Sequence, residues 1–248
     1  MSELSDDFRD WFGDVDLASE VEGNINDIVA EQFDNVAAYE VLVSEEPNTE
    51  VILADLVKRY KVKLTLLGKK TSEKSTGALG TKLLHILPCS VLVFPETAVF
   101  NIEKVLVPID FSDTSVLALR LSQNLSAQLG LQLEILHVYR LPTQYFPLIS
   151  EDKAVRKAEE IVKERFASLQ KKHQEIAGVP YSLVRAANKS IAERIRLHLN
   201  KGGHDLLVLG LKGNNPLPSL SFGGVQKEIY NMDMHIPLWL VYSEEVIK

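Results

Sequence analysis

The stretch EKVLVPIDFSDTSVLALRLSQNLSAQLGLQLEILHVY, residues 103–139, decides the fold. Val105, Leu106 and Val107 make a short uninterrupted apolar run, the pattern of a strand covered on both faces. Ser112 stands where an N-cap belongs. Val116, Leu117, Leu121, Leu125 and Leu129 then recur at helical spacing, and Gly130 is placed to end that helix. LQLEILHVY, residues 131–139, is a second strand. A strand, a helix and a strand within 37 residues require a right-handed crossover and a parallel pair.

The pattern continues to the end of the chain. A helix from about Glu151 to Ile176 presents Ala154, Ala158, Ile161, Val162, Phe166 and Leu169 on one face. YSLVRA is a third strand. Ile191, Ile195 and Leu199 mark a helix that stops at KGG, DLLVLG is a fourth strand, and PLWLVY, residues 237–242, is a fifth. The expectation is an α/β, doubly wound domain with a parallel five-stranded sheet, over residues 99–248.

Residues 1–98 repeat the later half of that pattern. YEVLVSEE matches YSLVRAAN, TEVILADLVKRY matches SIAERIRLHLNK, KLTLLGKK matches DLLVLGLK, and LPCSVLVFPE matches HIPLWLVYSE. An internal repeat of roughly 140 residues accounts for this. The first copy is short: aligning Gly68 on Gly210 would place its opening strand before Met1. It lacks a counterpart of the first strand, first helix and second strand, and offers instead one amphipathic helix through Leu17, Val21, Ile25, Ile28 and Val29. Two tandem copies, the first incomplete, are expected, with SVLVF paired against LWLVY as a pseudo-dimer. The truncation would also expose sheet edges that favour a homodimer.

Composition narrows the function. The 248 residues are 46% hydrophobic and 25% charged, ordinary for a chain that buries a sizeable core. A net charge of -7 argues against nucleic acid as a partner, since such binders need a basic face. Neither a signal peptide nor a long apolar span is present, so no membrane partner is expected and the chain reads as cytoplasmic. Cys89 is the single cysteine, in LPCSVLVF; it rules out an internal disulfide and a multi-thiolate zinc site, and reads as a buried apolar thiol.

Motifs for catalysis are missing. There is no Gly-x-x-x-x-Gly-Lys-Ser/Thr loop, no Gly-x-Gly-x-x-Gly fingerprint and no Gly-x-Ser-x-Gly elbow. His85, His137, His173, His198, His204 and His235 show no metal-ligand spacing, and His137, inside a strand, reads as a satisfied core group. Residues 139–150, YRLPTQYFPLIS, form a loop that could cover a ligand site or serve a partner.

VLVPIDFSDTSVLAL, ILHVY, LLVLGLKG and LPCSVLVF resemble the characteristic segments of the universal stress protein family, in that family's order. The resemblance covers residues 103–243, and residues 36–96 for the degenerate copy. It implies an adenine nucleotide α-hydrolase-like fold, a non-catalytic stress-response role with weak ATPase activity at most, and ATP or AMP as ligand, with Mg accompanying ATP. The family's nucleotide binders carry Gly-x-x-Gly, nine residues, then Gly and a hydroxyl residue. Here Gly210-Leu211-Lys212-Gly213 is followed by NNPLPSLSF and then Gly223-Gly224. Glycines let backbone N–H groups approach phosphate oxygens, and the last one opens a helix whose N-terminus favours an anion. Gly224 replaces the hydroxyl, removing a bond worth about 1.5–3 kcal/mol; if Gly224 instead takes the glycine's place, Val225 takes the hydroxyl's.

Residue by residue, the resemblance implies a nucleotide site of Pro108, Asp110, Val138, Leu209, Gly210, Gly213, Gly223, Gly224 and Val225. Asp110 stands near ribose and adenine, and the Val138 backbone at the adenine edge. A second reading of the same residues stays open. Asp110 could cap the following helix, Gly210 and Gly213 could be turns, and Leu217, Leu220 and Phe222 could fill the site. The first copy keeps Gly68 but has Thr71 for the second glycine, a shorter loop, Gly77-Ala78, and no strand to carry an aspartate, so no nucleotide is expected there.

Overall fold

A computed structural model of the chain describes residues 16–33, 38–44, 48–70, 78–141, 149–211 and 224–243. The chain forms two compact units, Met1–Leu53 and Ala54–Lys248. In the first, Asp16 caps helix α1, Leu17–Gln32, its Oδ1 accepting from the N–H groups of Ala18 (3.2 Å) and Ser19 (3.3 Å). None of the residues of α1 is buried. Residues 38–44, expected to be a strand from their likeness to YSLVRAAN, carry no regular structure. Strands form on a hydrogen-bonding neighbour, and among the described residues these pair with no strand of the sheet. A helix α2, Thr49–Arg59, crosses the boundary between the units.

The second unit is built on one seven-stranded sheet. In chain order its elements are β1 (Leu64–Lys69), α3 (Ala78–Ile86), β2 (Ser90–Pro95), β3 (Lys104–Pro108), α4 (Asp113–Leu129), β4 (Gln132–Tyr139), α5 (Glu151–Lys172), β5 (Tyr181–Arg185), α6 (Ile191–Gly202), β6 (Leu206–Gly210), α7 (Gly224–Asn231) and β7 (Leu238–Val241). The strand order is β1-β2-β7-β6-β3-β4-β5. All neighbours run parallel except β2 and β7, which pair antiparallel through Val91↔Leu240, Leu92↔Trp239 and Val93↔Leu238.

Local chemistry sets the element boundaries. Ser112 caps α4, its Oγ accepting from the Ser115 N–H at 3.3 Å, and Gly130 ends the helix at φ 71°. A capping box opens α6: Ser190 Oγ accepts from the Glu193 N–H (3.0 Å) while Glu193 accepts from the Ser190 N–H (2.8 Å). Helix α5 ends at Lys172, four residues before the Ile176 expected from periodicity. A 3₁₀ turn, Gln174–Ile176, follows and carries Ile176 into the core, and Gly178 at φ 86° turns the chain towards β5.

Alternation along the strands divides the core into two layers. On one face Val105, Val107, Leu133, Ile135, Leu206 and Val208 pack with Leu119 of α4 and Val162 and Phe166 of α5. The opposite side chains, Leu106, Leu136, Leu207 and Leu240, are equally buried, as are Ile195 and Leu199 of α6 and Ile229 of α7. No helix among the described residues is long and apolar enough to cross a membrane.

Candidate functional site

The connections from β3 and β6 depart in opposite directions. Strand β3 leads through α4 to β4 on one side of it, while β6, its neighbour on the other side, leads through α7 to β7. Such a reversal leaves a crevice beyond the carboxyl ends of the two strands, where doubly wound folds take ligands. Pro108 ends β3 with Asp110 two residues on, and Leu209 and Gly210 end β6. Val138 lies near the end of β4, paired with Val184 of β5. Gly224 and Val225 are the first two residues of α7. Gly213 and Gly223, with Leu217, Leu220 and Phe222, lie outside the described residues.

Asp110 is exposed and held in place. Its Oδ1 accepts from the N–H (3.0 Å) and the hydroxyl (2.5 Å) of Ser112, and its own N–H donates to Ser115 Oγ (3.4 Å). The aspartate thus braces the residue that caps α4, and its carboxylate stays at the mouth of the crevice. Phe111 between them has φ 63°, a left-handed conformation that costs a bulky residue energy. That turn sends the Phe111 ring against His137 (centroids 4.9 Å apart) and Phe166 (5.0 Å).

His137 lies beneath Asp110. Its Nδ1–H donates to the Ile109 carbonyl at 2.7 Å, the only polarity a carbonyl permits. Burial pushes its pKa down, and nearby Arg165 adds to this; the Ile109 bond and the Asp110 charge oppose it without reversing it. The half-buried ring is thereby held towards its neutral form, packed against Phe111.

Gly210 has a structural reason of its own. A Cβ there would lie 2.7 Å from the Thr114 carbonyl carbon and 2.9 Å from the Ser115 nitrogen. Its carbonyl accepts from the buried Gln226 side chain of α7 at 2.7 Å, and the Leu211 N–H donates to the Val241 carbonyl at 2.8 Å. Strand β6, α4 and α7 are thereby fixed against one another around the entry to the loop. Sequence reasoning missed Gln226, a helical glutamine with nothing distinctive in its spacing.

A second polar cluster also escaped the sequence. Glu134 of β4 accepts from Ser182 Oγ (2.8 Å) and pairs with His198 Nε2 (2.7 Å) through Oε1 and His204 Nε2 (3.0 Å) through Oε2. These residues come from two strands, a helix and the turn after it, so no sequence spacing signals their meeting. Among the described residues no group of three or more His, Cys, Asp or Glu is arranged to hold a metal ion.

The strand order and the reversal between β3 and β6 define a doubly wound α/β protein. The model of the universal stress protein family matches residues 101–238, more than half of the chain. The chain belongs to the universal stress protein family. Solved structures extend the likeness of fold to almost its whole length. A universal stress protein from Archaeoglobus fulgidus DSM 4304 is 15% identical over 98% of this chain and 81% of its own, with a TM-score of 0.61. A putative universal stress protein from Pseudomonas aeruginosa UCBPP-PA14 is 13% identical over 95% and 81%, with a TM-score of 0.65. No curated protein sequence matches the chain.

Proposed function

We propose that this stress-response protein is a tandem member of its family in which residues 99–248 hold an adenine nucleotide, ATP or AMP, and residues 1–98 are a truncated copy. The observation that carries the nucleotide reading is the pair Asp110 and Gly210 at the carboxyl ends of adjacent strands β3 and β6, on either side of the strand-order reversal. The carboxylate faces the ribose and adenine side, with Pro108, Leu209 and the Val138 backbone as walls. Gly213, Gly223, Gly224 and Val225 form the phosphate side, with Mg accompanying ATP. The role in this reading is regulatory and not catalytic.

The truncated copy finds support in the sheet. The pairs Val91↔Leu240 and Leu92↔Trp239 exchange under a twofold axis if Val91 corresponds to Trp239 and Leu92 to Leu240, as aligning LPCSVLVFPE with HIPLWLVYSE requires. Strands β1 and β2 then correspond to β6 and β7. The pair β2–β7 joins the copies as a pseudo-dimer within one chain.

Two contacts favour a second reading, a nucleotide-independent interaction protein. Thr114 alone explains Gly210, and Ser112 already engages Asp110. Titration with ATP·Mg and with AMP, read by calorimetry and thermal shift, separates the two. Binding that is weakened in Asp110→Ala and Gly213→Val supports the nucleotide reading, and no response at millimolar nucleotide would sink it.

A further inference from the structure

The sheet has an uncovered apolar corner. Leu64 and Leu66 of β1 register with Ser90 and Leu92 of β2, and Leu92 registers with Trp239 of β7, so all five share a face. Further along the sheet that face is roofed by α4 and α5. At β1 no described helix roofs it: Leu64 is 40% exposed and Leu66 66%. Phe94, which registers with Gly68 on the same face, stacks on Phe100 (5.8 Å), itself 79% exposed. A contiguous patch of this kind marks an interaction site more often than isolated exposed leucines do.

The segment through β1 is basic in sequence, with Lys69 turned to the other face, towards α7. From Lys58 to Lys70 the chain carries Lys58, Arg59, Lys61, Lys63, Lys69 and Lys70 and no acidic residue. Residues 1–53 show the reverse, with fifteen acids against Arg9 alone. Helix α1 belongs to that acidic stretch. It bears Glu20, Glu22, Asp27 and Glu31 and no base, yet carries an apolar stripe through Leu17, Val21, Ile25 and Ile28. No residue of α1 is buried, and Ile28 is 56% exposed. Its 16 residues nearly equal the 17 of α4, the helix that roofs the corresponding face of the complete copy.

We infer that two copies of this chain exchange α1 helices, each helix lying across the Leu64–Leu66 face of the other copy. The helix supplies the missing apolar roof, and its carboxylates meet Lys61 and Lys70, the exposed cations at the two ends of β1. The contact is reciprocal, so a twofold dimer closes without leaving either surface open. A 16-residue helix is about 24 Å long and about 10 Å across. Two such helices bury roughly 1,000 Å² in all, at the lower limit for a specific interface, so the dimer is expected to dissociate within the micromolar range.

Sedimentation velocity on the full chain from about 1 to about 100 µM tests this. The expected result is a concentration-dependent dimer that weakens as salt is raised. Ile28→Glu in α1 and Leu66→Glu in β1 each weaken it at least tenfold, and equimolar mixing of the two variants gives a heterodimer held by the one remaining intact contact. Both positions are exposed, and circular dichroism of each variant checks its folding. A monomer throughout the range, or a dimer indifferent to both substitutions, overturns the inference. So does a monomer whose β1 amides lose hydrogen-exchange protection in Ile28→Glu, since the helix would then serve its own chain.

Discussion

A Cβ at Gly210 would come within 2.7 Å of the Thr114 carbonyl carbon, closer than side chains tolerate against backbone. The last residue of β6 and the first turn of α4 therefore meet with no room for a side chain. Gly210→Ala is expected to force β6 and α4 apart, at about 1–3 kcal/mol and a lowered Tm. A glycine needed only to admit a phosphate would leave the Tm of the free protein unchanged. Thermal unfolding of the ligand-free variant decides between them, and an unchanged Tm refutes the packing argument.

His137 predicts a loss of stability in mild acid. Its folded pKa lies below the ordinary 6.5 because burial disfavours the imidazolium. The unfolded chain therefore binds the proton more readily, and stability declines as pH falls from about 6.5 towards the lower folded value. His137→Asn can keep a donor near the Ile109 carbonyl but cannot titrate. It should be less stable at pH 7, by about 1 kcal/mol or more for the lost ring packing, and should lose less stability between pH 6.5 and 5. Urea unfolding across that interval checks this, and an undiminished slope assigns the effect elsewhere.

Residues with a local signal were legible in the sequence. Ser112, Gly130 and the apolar run Val105–Val107 announced strand, cap and helix end, because each acts on neighbours a few residues away. Asp110 was legible as a residue at a strand's end. Its bonds to Ser112, the cap of α4, give it a part in the capping that the sequence offered as one of two readings. Residues 38–44 misled: a strand pattern is a statement about an edge and its partner, and among the described residues no strand pairs with them. Gln226 and the Glu134 group gave no signal because β-strand register and helix packing assemble them from segments up to 70 residues apart.

Lys69 links strand β1 to the end of helix α7. From β1 its ammonium donates to the carbonyls of Tyr230 and Met232 (3.0 Å for the latter) and stands 4.9 Å over the Tyr230 ring. Burial lowers its pKa, and the Asp233 charge partly restores it. These carbonyls end α7, where a cation complements the helix dipole. Lys69→Met should keep the stem's packing but cost about 1–3 kcal/mol, and should speed amide exchange in the last turn of α7. Unaltered exchange there would leave the lysine as a surface group with no capping role.

Glu134 sets the response to stronger acid. Burial alone would raise its pKa. The bonds from Ser182 and His198 and the charges of His198 and His204 outweigh that and hold it below the ordinary 4.5. A depressed carboxylate contributes stability that is present above the unfolded value and lost as pH falls through the folded one, so this loss begins near pH 4.5, beneath the His137 window. Glu134→Gln keeps the shape and an acceptor but removes the charge facing two imidazoles. It is expected to lower stability at pH 7 by about 1–3 kcal/mol and to flatten the unfolding free energy against pH below 4.5. The double variant with His137→Asn should flatten both windows independently, because the two groups lie on opposite faces of β4 and share no hydrogen-bond partner. Equal acid slopes in Glu134→Gln and the parent protein would show that the histidines do not depress this carboxylate.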